Sequence, residues 1–483
     1  MKSLKEILPN YINACFSALW IKSSEPNEVV RELAELSKAE SWDLVTWDIE
    51  QGYGEENEVP IPLSAVQQIK TFGDGQKPQL VVLRHFHRFL GSIEVIQALE
   101  RQIQNGKQTR TSVVVLSPVV QIPVELENLF TVVEHPFPDK EQLQKIAEGI
   151  LDAKLPNDMN TQCVLDAVAG MTRMEAEDAF SLSVSKHDRL VPEPIWQLKA
   201  NMLRESSALR LYRGEIPRLG GLDNLTRFCH QVLSPSTSAH GEPAKGVMLL
   251  GVSGSGKSAF AKWLGHSVQR PTLVLDIGAL MGSLVGQTEA ALRESLKLID
   301  AMSPCVVMID EVEKAMSTSG NDGGISARIF GTLLTWLNDR HSDSFVVCTA
   351  NDISKLPPEF TRAERFDGIF FVDLPDKAAR DQIWTIYEQH YGFEKPERPE
   401  DTDWTGAEIK ACCRQAVKQN LSLKDAAQYI IPITSTASEA IHALRNWASG
   451  RCLDAARAGI YRYRQSSTRR NIRRDEPSML TMV

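Results

Sequence analysis

A glycine-rich loop carries the strongest chemical signal in this chain of 483 residues. It follows the apolar run Val247–Leu250 and reads G-x-x-x-x-G-K-S, the spacing of a phosphate-binding loop between a strand and a helix. Glycines let backbone N–H groups approach phosphate oxygens, and the N-terminus of the following helix attracts the same anion. The residues expected to bind phosphate are Gly251, Ser253, Gly254, Ser255, Gly256, Lys257, Ser258 and Ala259.

Two carboxylates follow a second apolar run, Val306–Ile309. A buried strand would deliver Asp310 and Glu311 to the carboxyl edge of a sheet, where a phosphate-binding loop also lies. We expect Asp310 and the Ser258 hydroxyl to bind Mg²⁺, and Lys257 to reach the terminal phosphates. Glu311 is then the expected general base that activates water. Together these residues predict phosphoryl transfer to water.

The composition indicates an ordinary globular protein of two to four domains, with 42% hydrophobic and 24% charged residues. A net charge of −9 argues against nucleic-acid binding through bulk charge, although residues 451–483 carry eight arginines against three acidic residues. The eight cysteines form no C-x-x-C pair, which favours buried reduced thiols. No apolar run approaches the length of a membrane span, so we expect no membrane partner.

Short apolar runs alternate with helical patterns over the first 140 residues. Helices are expected around 26–39, 63–71 and 92–104. The predicted strands are Cys15–Ile21, Leu44–Trp47, Leu80–Leu83, Ser112–Leu116 and Val132–His135. Strands that alternate with helices predict an α/β fold with a doubly wound, mostly parallel sheet.

An internal repeat relates the two halves of the chain. Val113–Glu125 aligns with Val347–Glu359, and Phe137–Lys140 aligns with Leu374–Lys377. The repeat predicts two tandem P-loop-type modules, each with a parallel sheet flanked by helices and each with a helical lid.

The first copy of the repeat lacks the chemical residues. It has no glycine-rich loop after its first strand, Arg84 and His85 stand in place of the two carboxylates, and the alignment places Ser117 at Asn351. We therefore predict a degenerate module that neither binds nor hydrolyses nucleotide. His85 and His87 could act as metal ligands on one face, but a structural role is favoured because no third ligand is evident nearby.

Residues 215–450 resemble the AAA branch of the AAA+ ATPases. The loop that ends at Ser258 is similar to Walker A, and Asp310-Glu311 is similar to Walker B. Further motifs of this branch are matched by Asn351 (sensor 1), Arg362 and Arg365 (arginine-finger segment), Gly220 and Gly221 (adenine-side loop), and Gly406 and Ala407 (lid motif).

The resemblance implies ATP as substrate, Mg²⁺ as cofactor and Asn351 as the group that orients water. It also implies that Arg362 and Arg365 act on ATP bound by a neighbouring subunit, although surface salt bridges are the alternative role for arginines at these positions. The expected assembly is a homo-oligomer, most simply a hexameric ring with ATP at the subunit interfaces.

The expected organisation has five parts. These are a degenerate AAA-like α/β module (1–140), a helical lid and connector (141–212), a nucleotide-binding subdomain (213–375), a helical lid subdomain (376–450) and a basic, disordered tail (451–483). A degenerate module with the segment Phe86–Leu90 ahead of one active module is similar to AAA proteins encoded by open reading frames of some chloroplast and cyanobacterial genomes. This resemblance implies a cytoplasmic location, or the plastid stroma for a chloroplast-encoded protein.

Three functions remain open at this point. The ATPase could remodel a protein partner that the first module selects. It could instead be a regulatory switch without threading, because Leu284–Gly286 replaces the aromatic residue of the family's pore loop. A nucleic-acid motor or loader that uses the arginines of the tail is less favoured, because few aromatic residues accompany them (Tyr461 and Tyr463).

Overall fold

The computed structural model describes residues 3–54, 60–72, 76–156, 158–206, 208–234, 243–281, 287–316, 325–353, 356, 365–394 and 396–463. The chain divides into two units, Met1–Lys199 and Ala200–Val483. None of the helices in the described ranges has the length and the apolar composition of a membrane span.

The first unit contains a parallel sheet in the order β2-β3-β4-β1-β5. Its described strands are β1 (Ala18–Lys22), β2 (Asp43–Trp47), β3 (Gln79–Arg84), β4 (Thr111–Ser117) and β5 (Thr131–Glu134). The helices are α1 (Leu4–Asn13), α2 (Pro26–Glu40), α3 (Pro62–Gln68), α4 (Ile93–Thr109), α5 (Lys140–Leu151), α6 (Met159–Val168), α7 (Arg173–His187) and α8 (Pro192–Ser206), within which the division between the units falls. All five strands lie within three residues of their predicted bounds.

Helices cover both faces of this sheet. On one face, Leu19 and Val114 pack against apolar residues of α1 and α2. On the other face, Trp20 and Val113 pack against apolar residues of α3 and α4. Because both faces are buried, the strands are continuously apolar rather than alternating, which is typical of parallel sheets.

The second unit contains a mostly parallel sheet in the order β12-β11-β7-β10-β9-β8-β6, with β6 antiparallel to β8. Its described strands are β6 (Leu209–Leu211), β7 (Gly246–Gly251), β8 (Thr272–Leu275), β9 (Cys305–Ile309), β10 (Ser344–Ala350), β11 (Gly368–Val372) and β12 (Leu453–Asp454). Helices α9 (Asp223–Val232), α10 (Lys257–Ser267), α11 (Ile277–Met281), α12 (Gln287–Ala301) and α13 (Ile325–Asp339) belong to the same subdomain. The lid contains α14 (Lys377–Tyr391), α15 (Gly406–Gln419), α16 (Leu423–Ala427), α17 (Ile433–Thr436) and α18 (Ser438–Ala448).

The two sheets share one strand order. Strands β8-β9-β10-β7-β11 repeat the order β2-β3-β4-β1-β5 of the first unit, with β3 and β9 in equivalent places. In both units a short 3₁₀ helix follows that strand, at Phe86–Phe89 and at Val312–Met316. The residue just before each 3₁₀ helix has a left-handed backbone, with φ of 54° at His85 and 50° at Glu311. His85 is therefore the counterpart of Glu311, as the sequence predicted.

The strand pairing corrects another part of the repeat alignment. Arg84 pairs with Leu116 in the first sheet, and in the second sheet Asp310 lies beside Thr349. Leu116 is therefore the counterpart of Thr349. The prediction that Ser117 stands at Asn351 was wrong by one residue. Such a slip matters because it places every side chain of the strand on the opposite face of the sheet.

Residues 450–463, which we name the C-terminal strap, extend the sheet of the second unit. Strand β12 in this segment pairs in parallel with β11. The Tyr461 ring is buried against Phe371, with ring centroids 4.4 Å apart, and its hydroxyl donates to Asp373 at 2.6 Å. The prediction that a disordered tail begins at residue 451 was therefore wrong, and residues 464–483 lie outside the described part of the chain.

The strap also contacts the point where the sheet passes into the lid. Asp373 follows β11, and it accepts hydrogen bonds from Arg445 of α18 at 2.8 Å and from Tyr461 of the strap. Arg457 of the strap forms an ion pair with Asp376 at 2.7 Å. One segment thus joins the sheet, the connection to the lid and the last lid helix. The helical lid and connector were predicted to extend to residue 212, but α8 ends at Ser206 and strand β6 follows it.

Candidate nucleotide site

The glycine-rich loop joins β7 to α10, as the sequence predicted. Gly254 and Gly256 have φ of 79° and 101°, a backbone region that residues with a Cβ rarely adopt. A Cβ at Gly251 would lie 2.1 Å from the carbonyl oxygen of Val372, so the close contact of β7 with β11 also requires glycine. The loop therefore turns tightly beside the cavity that its residues 253–259 line.

Lys257 is buried at the start of α10. Its Nζ donates to the carbonyl oxygens of Gly251 at 2.9 Å and Val252 at 2.8 Å. Burial lowers the pKa of Lys257 to about 8, although nearby carboxylates oppose this shift. A phosphate group would favour the protonated amine, because it would supply the negative charge that the loop carbonyls only partly replace.

We expect nucleotide affinity to fall about tenfold per pH unit above pH 8. In this range Lys257 loses its proton in the protein without nucleotide, and nucleotide binding must restore that proton. The effect continues until the pH reaches the pKa of Lys257 in the nucleotide complex. Calorimetric titration with ADP in two buffers of different ionisation enthalpy should detect proton uptake above pH 8 and little uptake at about pH 7. The variant Lys257→Arg, which stays charged, should lose this pH dependence. An affinity that does not change with pH across this range would contradict the prediction.

The two carboxylates follow β9 at the same edge of the sheet. Ser258 Oγ donates to Asp310 Oδ1 at 2.8 Å, so the two expected metal ligands lie in contact. Hydroxyl and carboxylate oxygens are the hard donors that Mg²⁺ prefers, and the residues present therefore fit this ion. Asn351 Nδ2 donates to Glu311 Oε1 at 2.9 Å, which places the expected water-orienting group beside the expected base.

Two further residues at this edge, Thr349 and Glu313, were not predicted from the sequence. Thr349 Oγ1 donates to Asp310 Oδ1 at 2.5 Å and accepts the N–H of Glu311 at 2.9 Å. Glu313 accepts the backbone N–H of Asn351 at 2.8 Å. A signal for Thr349 was present in the sequence, because it lies two residues before Asn351 at the end of a strand and residues two apart in a strand share a face.

The lid closes over the loop from the other side. Ala407 N, at the start of α15, donates to Gly254 O at 3.2 Å, and Gly221 N donates to Gln382 Oε1 of α14 at 3.0 Å. The cavity between the lid and the phosphate loop has a volume of about 300 Å³. Residues 253–259, both carboxylates, Asn351, Gly220, Gly406 and Ala407 line it, whereas the predicted binding residues Gly221 and Gly251 do not. Lid residues that the sequence analysis did not identify also line it, namely Ile383, Ile386, Tyr387 and Lys410.

Arg365 lies away from this cavity. It precedes β11, which begins at Gly368, and nearby Asp367 accepts the N–H groups of Lys245 and Gly246 at 2.7 Å each. The start of β11 is the amino edge of the sheet, whereas the cavity lies past the carboxyl ends of the strands. Five residues of strand separate the two edges by about 16 Å. The other predicted finger, Arg362, lies outside the described residues.

The first unit has a cation where the second has a metal ligand. Arg84 is the counterpart of Asp310, and its Nη2 donates to Asn27 Oδ1 at 2.7 Å. Asn27 is the second residue of α2, as Ser258 is the second residue of α10. A guanidinium group thus links the strand to the helix at the place where the second unit has a hydroxyl and a carboxylate.

The N-terminus of helix α7, in the predicted lid of the first unit, is hydrogen-bonded to a carboxylate of its own chain. The Glu25 side chain accepts the backbone N–H groups of Arg173 at 3.1 Å and Met174 at 3.0 Å, at the N-terminus of α7. Thr172 and Glu175 form a capping box there, as Thr405 and Glu408 do at the start of α15. A helix N-terminus attracts anions, and here a side chain already fills that role.

His85 and His87 stay near each other in the first unit, with ring centroids 6.3 Å apart. His87 is buried in the 3₁₀ helix, where burial lowers the pKa of its imidazole. No group of three or more potential metal ligands occurs among the residues that the structure describes.

Two family models match separate parts of the chain. Residues 4–135 match the model described as SpoVK-like AAA ATPase, N-terminal domain. Residues 247–374 match the model described as ATPase family associated with various cellular activities (AAA). The second match covers the phosphate loop, both carboxylates and Asn351.

Similar proteins extend over most of the chain. The AAA domain-containing protein ycf46 of Guillardia theta is 29% identical over 447 residues, which are 84% of this chain and 87% of that protein. The ycf46 protein of Trieres chinensis is 28% identical over 474 residues, which are 91% of this chain and 95% of that protein. The cell division cycle protein 48 homolog of Archaeoglobus fulgidus is 25% identical over 305 residues, which are 58% of this chain and 41% of that protein. Together with the geometry of the cavity, these matches show that the chain contains an ATP-hydrolysing AAA domain, which follows a SpoVK-like N-terminal domain.

Proposed function

We propose that this ATPase assembles as a ring and uses ATP hydrolysis at the subunit interfaces to remodel a protein partner. The position of Arg365 carries the proposal. Negative charge shifts within the phosphates during phosphoryl transfer, and an arginine that stabilises it must touch them. Arg365 lies at the opposite edge of the sheet from its own cavity, which favours an action on the nucleotide of a neighbouring subunit over one on its own.

The residues of the site have distinct roles in the proposed reaction. Glu311 accepts a proton from the attacking water, and Asn351 orients that water through the contact that already joins the two side chains. Lys257 and the backbone N–H groups of the loop hold the phosphates. Asp310 and Ser258 would hold Mg²⁺, which would supply positive charge beside the phosphates.

The contacts across the cavity couple the nucleotide to the lid. Ala407 of the lid donates a hydrogen bond to the phosphate loop, and Gly221 donates one to α14 of the lid. The lid is therefore hydrogen-bonded both to the phosphate loop and to the loop that contains Gly221. Loss of the terminal phosphate would change the contacts on one side only. We therefore propose that hydrolysis shifts the lid relative to the sheet and that this movement acts on the partner.

We assign the choice of the partner to the first unit. Its counterpart of the nucleotide site is occupied by Arg84 and Glu25, whose contacts lie within the unit. A unit that keeps the fold but fills its site with its own side chains has no need of nucleotide, and its surface is free to serve recognition.

The nucleic-acid alternative loses support in the second unit. Tyr461 is buried and bonded to Asp373, and the Tyr463 hydroxyl forms a hydrogen bond with His442 Nδ1 at 2.6 Å. The two aromatic residues that could have stacked on bases are thus engaged in the strap.

ATPase rate against protein concentration tests the proposed assembly. Because each site needs an arginine from a neighbour, we expect the rate per subunit to rise with concentration, while light scattering reports a growing mass in ATP. The comparison should be repeated in ADP and with a fluorescent nucleotide that measures site occupancy. Hydrolysis at full rate by a monomer would refute the ring and the arginine assignment together, while leaving the ATPase activity intact.

A further inference from the structure

We propose that Thr349 is a positioning residue for ATP hydrolysis, because its hydroxyl fixes the carboxylate of Asp310 and the backbone of Glu311 at the same time. Thr349 belongs to β10 and is fully buried, with 0% of its surface exposed. It lies beside both carboxylate-bearing residues. The inference concerns the ATPase reaction itself and does not depend on the ring.

The two hydrogen bonds of Thr349 determine each other. A hydroxyl has one proton to donate, and Thr349 Oγ1 gives it to Asp310 Oδ1 at 2.5 Å. A lone pair of the same oxygen accepts the N–H of Glu311 at 2.9 Å. The metal-binding carboxylate and the residue that bears the general base are therefore oriented by one atom of the neighbouring strand.

The backbone of Glu311 needs such a contact. Its φ of 50° lies in the left-handed region, which is uncommon for residues with a side chain. This turn directs the Glu311 side chain toward Asn351. The Thr349 oxygen accepts the N–H within the turn, so that N–H stays bonded away from water.

The first unit provides an internal comparison. His85 has the same left-handed backbone, with φ of 54°, but its N–H donates to the carbonyl oxygen of Leu116 at 2.8 Å. Leu116 is the counterpart of Thr349 and has no hydroxyl. The turn itself therefore requires only an acceptor on the neighbouring strand. The threonine adds a second hydrogen bond, to Asp310. The first unit has Arg84 in place of Asp310, so it has no carboxylate there to accept such a bond.

Thr349→Val and Thr349→Ser distinguish a role of the hydroxyl group from a role of the side-chain shape. Valine keeps the shape and removes the hydroxyl, whereas serine keeps the hydroxyl and removes a methyl group. For the valine variant we expect a rate of hydrolysis about 10- to 100-fold lower and a similar rise in the Mg²⁺ concentration for half-maximal nucleotide binding, since groups that orient metal ligands have effects of this size. Serine should restore both to within about threefold of the wild type.

Binding of fluorescent ADP, measured in EDTA and in Mg²⁺, distinguishes positioning from folding. The valine variant should bind ADP like the wild type in EDTA and should lose only the gain in affinity that Mg²⁺ provides. Thr349→Ala should be measured in parallel, as a second hydroxyl-free variant in case the valine variant does not fold. Equal loss of ADP affinity in EDTA and in Mg²⁺ would show a merely structural role, and an unchanged Mg²⁺ dependence in both hydroxyl-free variants would overturn the proposal.

Discussion

Glu311→Gln should lower the rate of ATP hydrolysis by about 100- to 10,000-fold, the range in which a positioned general base contributes. Glutamine has the same shape and can still accept the hydrogen bond from Asn351, but it cannot take a proton from water. The change also removes the ion pair of Glu311 with Lys314, which is largely exposed and therefore contributes little to stability. ATP should consequently remain bound without being hydrolysed.

Single-turnover hydrolysis together with nucleotide binding checks this expectation. The exposed Glu294 of α12 offers a matched control, because Glu294→Gln makes the same change in charge away from the cavity. The control should hydrolyse ATP like the wild type. Hydrolysis by Glu311→Gln at half the rate of the wild type would exclude Glu311 as the base. An ATP-bound assembly that this variant traps would also serve as bait for the protein partner.

Arg365→Ala should lower the rate of hydrolysis by about 1,000- to 100,000-fold, the contribution measured for arginine fingers in related chemistry. Nucleotide affinity in the variant should change little, because strand β11, about 16 Å long, separates the start of this strand near Arg365 from the edge of the sheet where the cavity lies. Arg362→Ala should be made alongside, since either arginine of the segment could reach the neighbour. A rate close to that of the wild type in both variants would leave these arginines as surface residues.

Mixing two inactive variants tests whether the arginine acts between subunits. Lys257→Ala cannot hold the phosphates but retains Arg365, whereas Arg365→Ala retains an intact cavity. At an interface between the two, the intact cavity faces an intact arginine, and hydrolysis should return to a substantial part of the wild-type rate. Lys257→Ala mixed with Glu311→Gln is the matched control and should stay inactive, because every cavity in that mixture is defective. Recovery in neither mixture would contradict an action across the interface.

The parts of the site that the sequence could predict are local in the chain. The phosphate loop and the pair Asp310-Glu311 are short segments whose spacing reflects the conformation they must adopt. Asn351 was also identified from its own segment. The spacing of Thr349 from Asn351 could have placed it at this edge, but its role arises from the pairing of β10 with β9, and the sequence contains no direct record of which residues lie opposite each other.

The C-terminal strap was not predicted for the same reason, because its structure depends on contacts with distant parts of the chain. Strand β12 has two residues, too few for any period to appear in the sequence. The surrounding arginines favoured a solvated tail. Arg457 instead pairs with Asp376, and Tyr461 is buried by contacts with residues about 90 positions earlier in the chain. The lid residues Ile383 and Tyr387 were likewise missed, because only the closed fold brings α14 to the cavity.

The position of β12 also has a consequence for synthesis of the protein. A ribosome adds about 5–20 residues per second, so the roughly 80 residues between β11 and β12 take about 4–16 s. During this interval β11 can pair with β7 on one side, but its other edge has no strand beside it. The first unit, by contrast, already has all the strands of its sheet when β7 is made. Nascent chains of this ATPase therefore pass through a stage with one finished unit and one open sheet edge, a state in which a chaperone would have the most to protect.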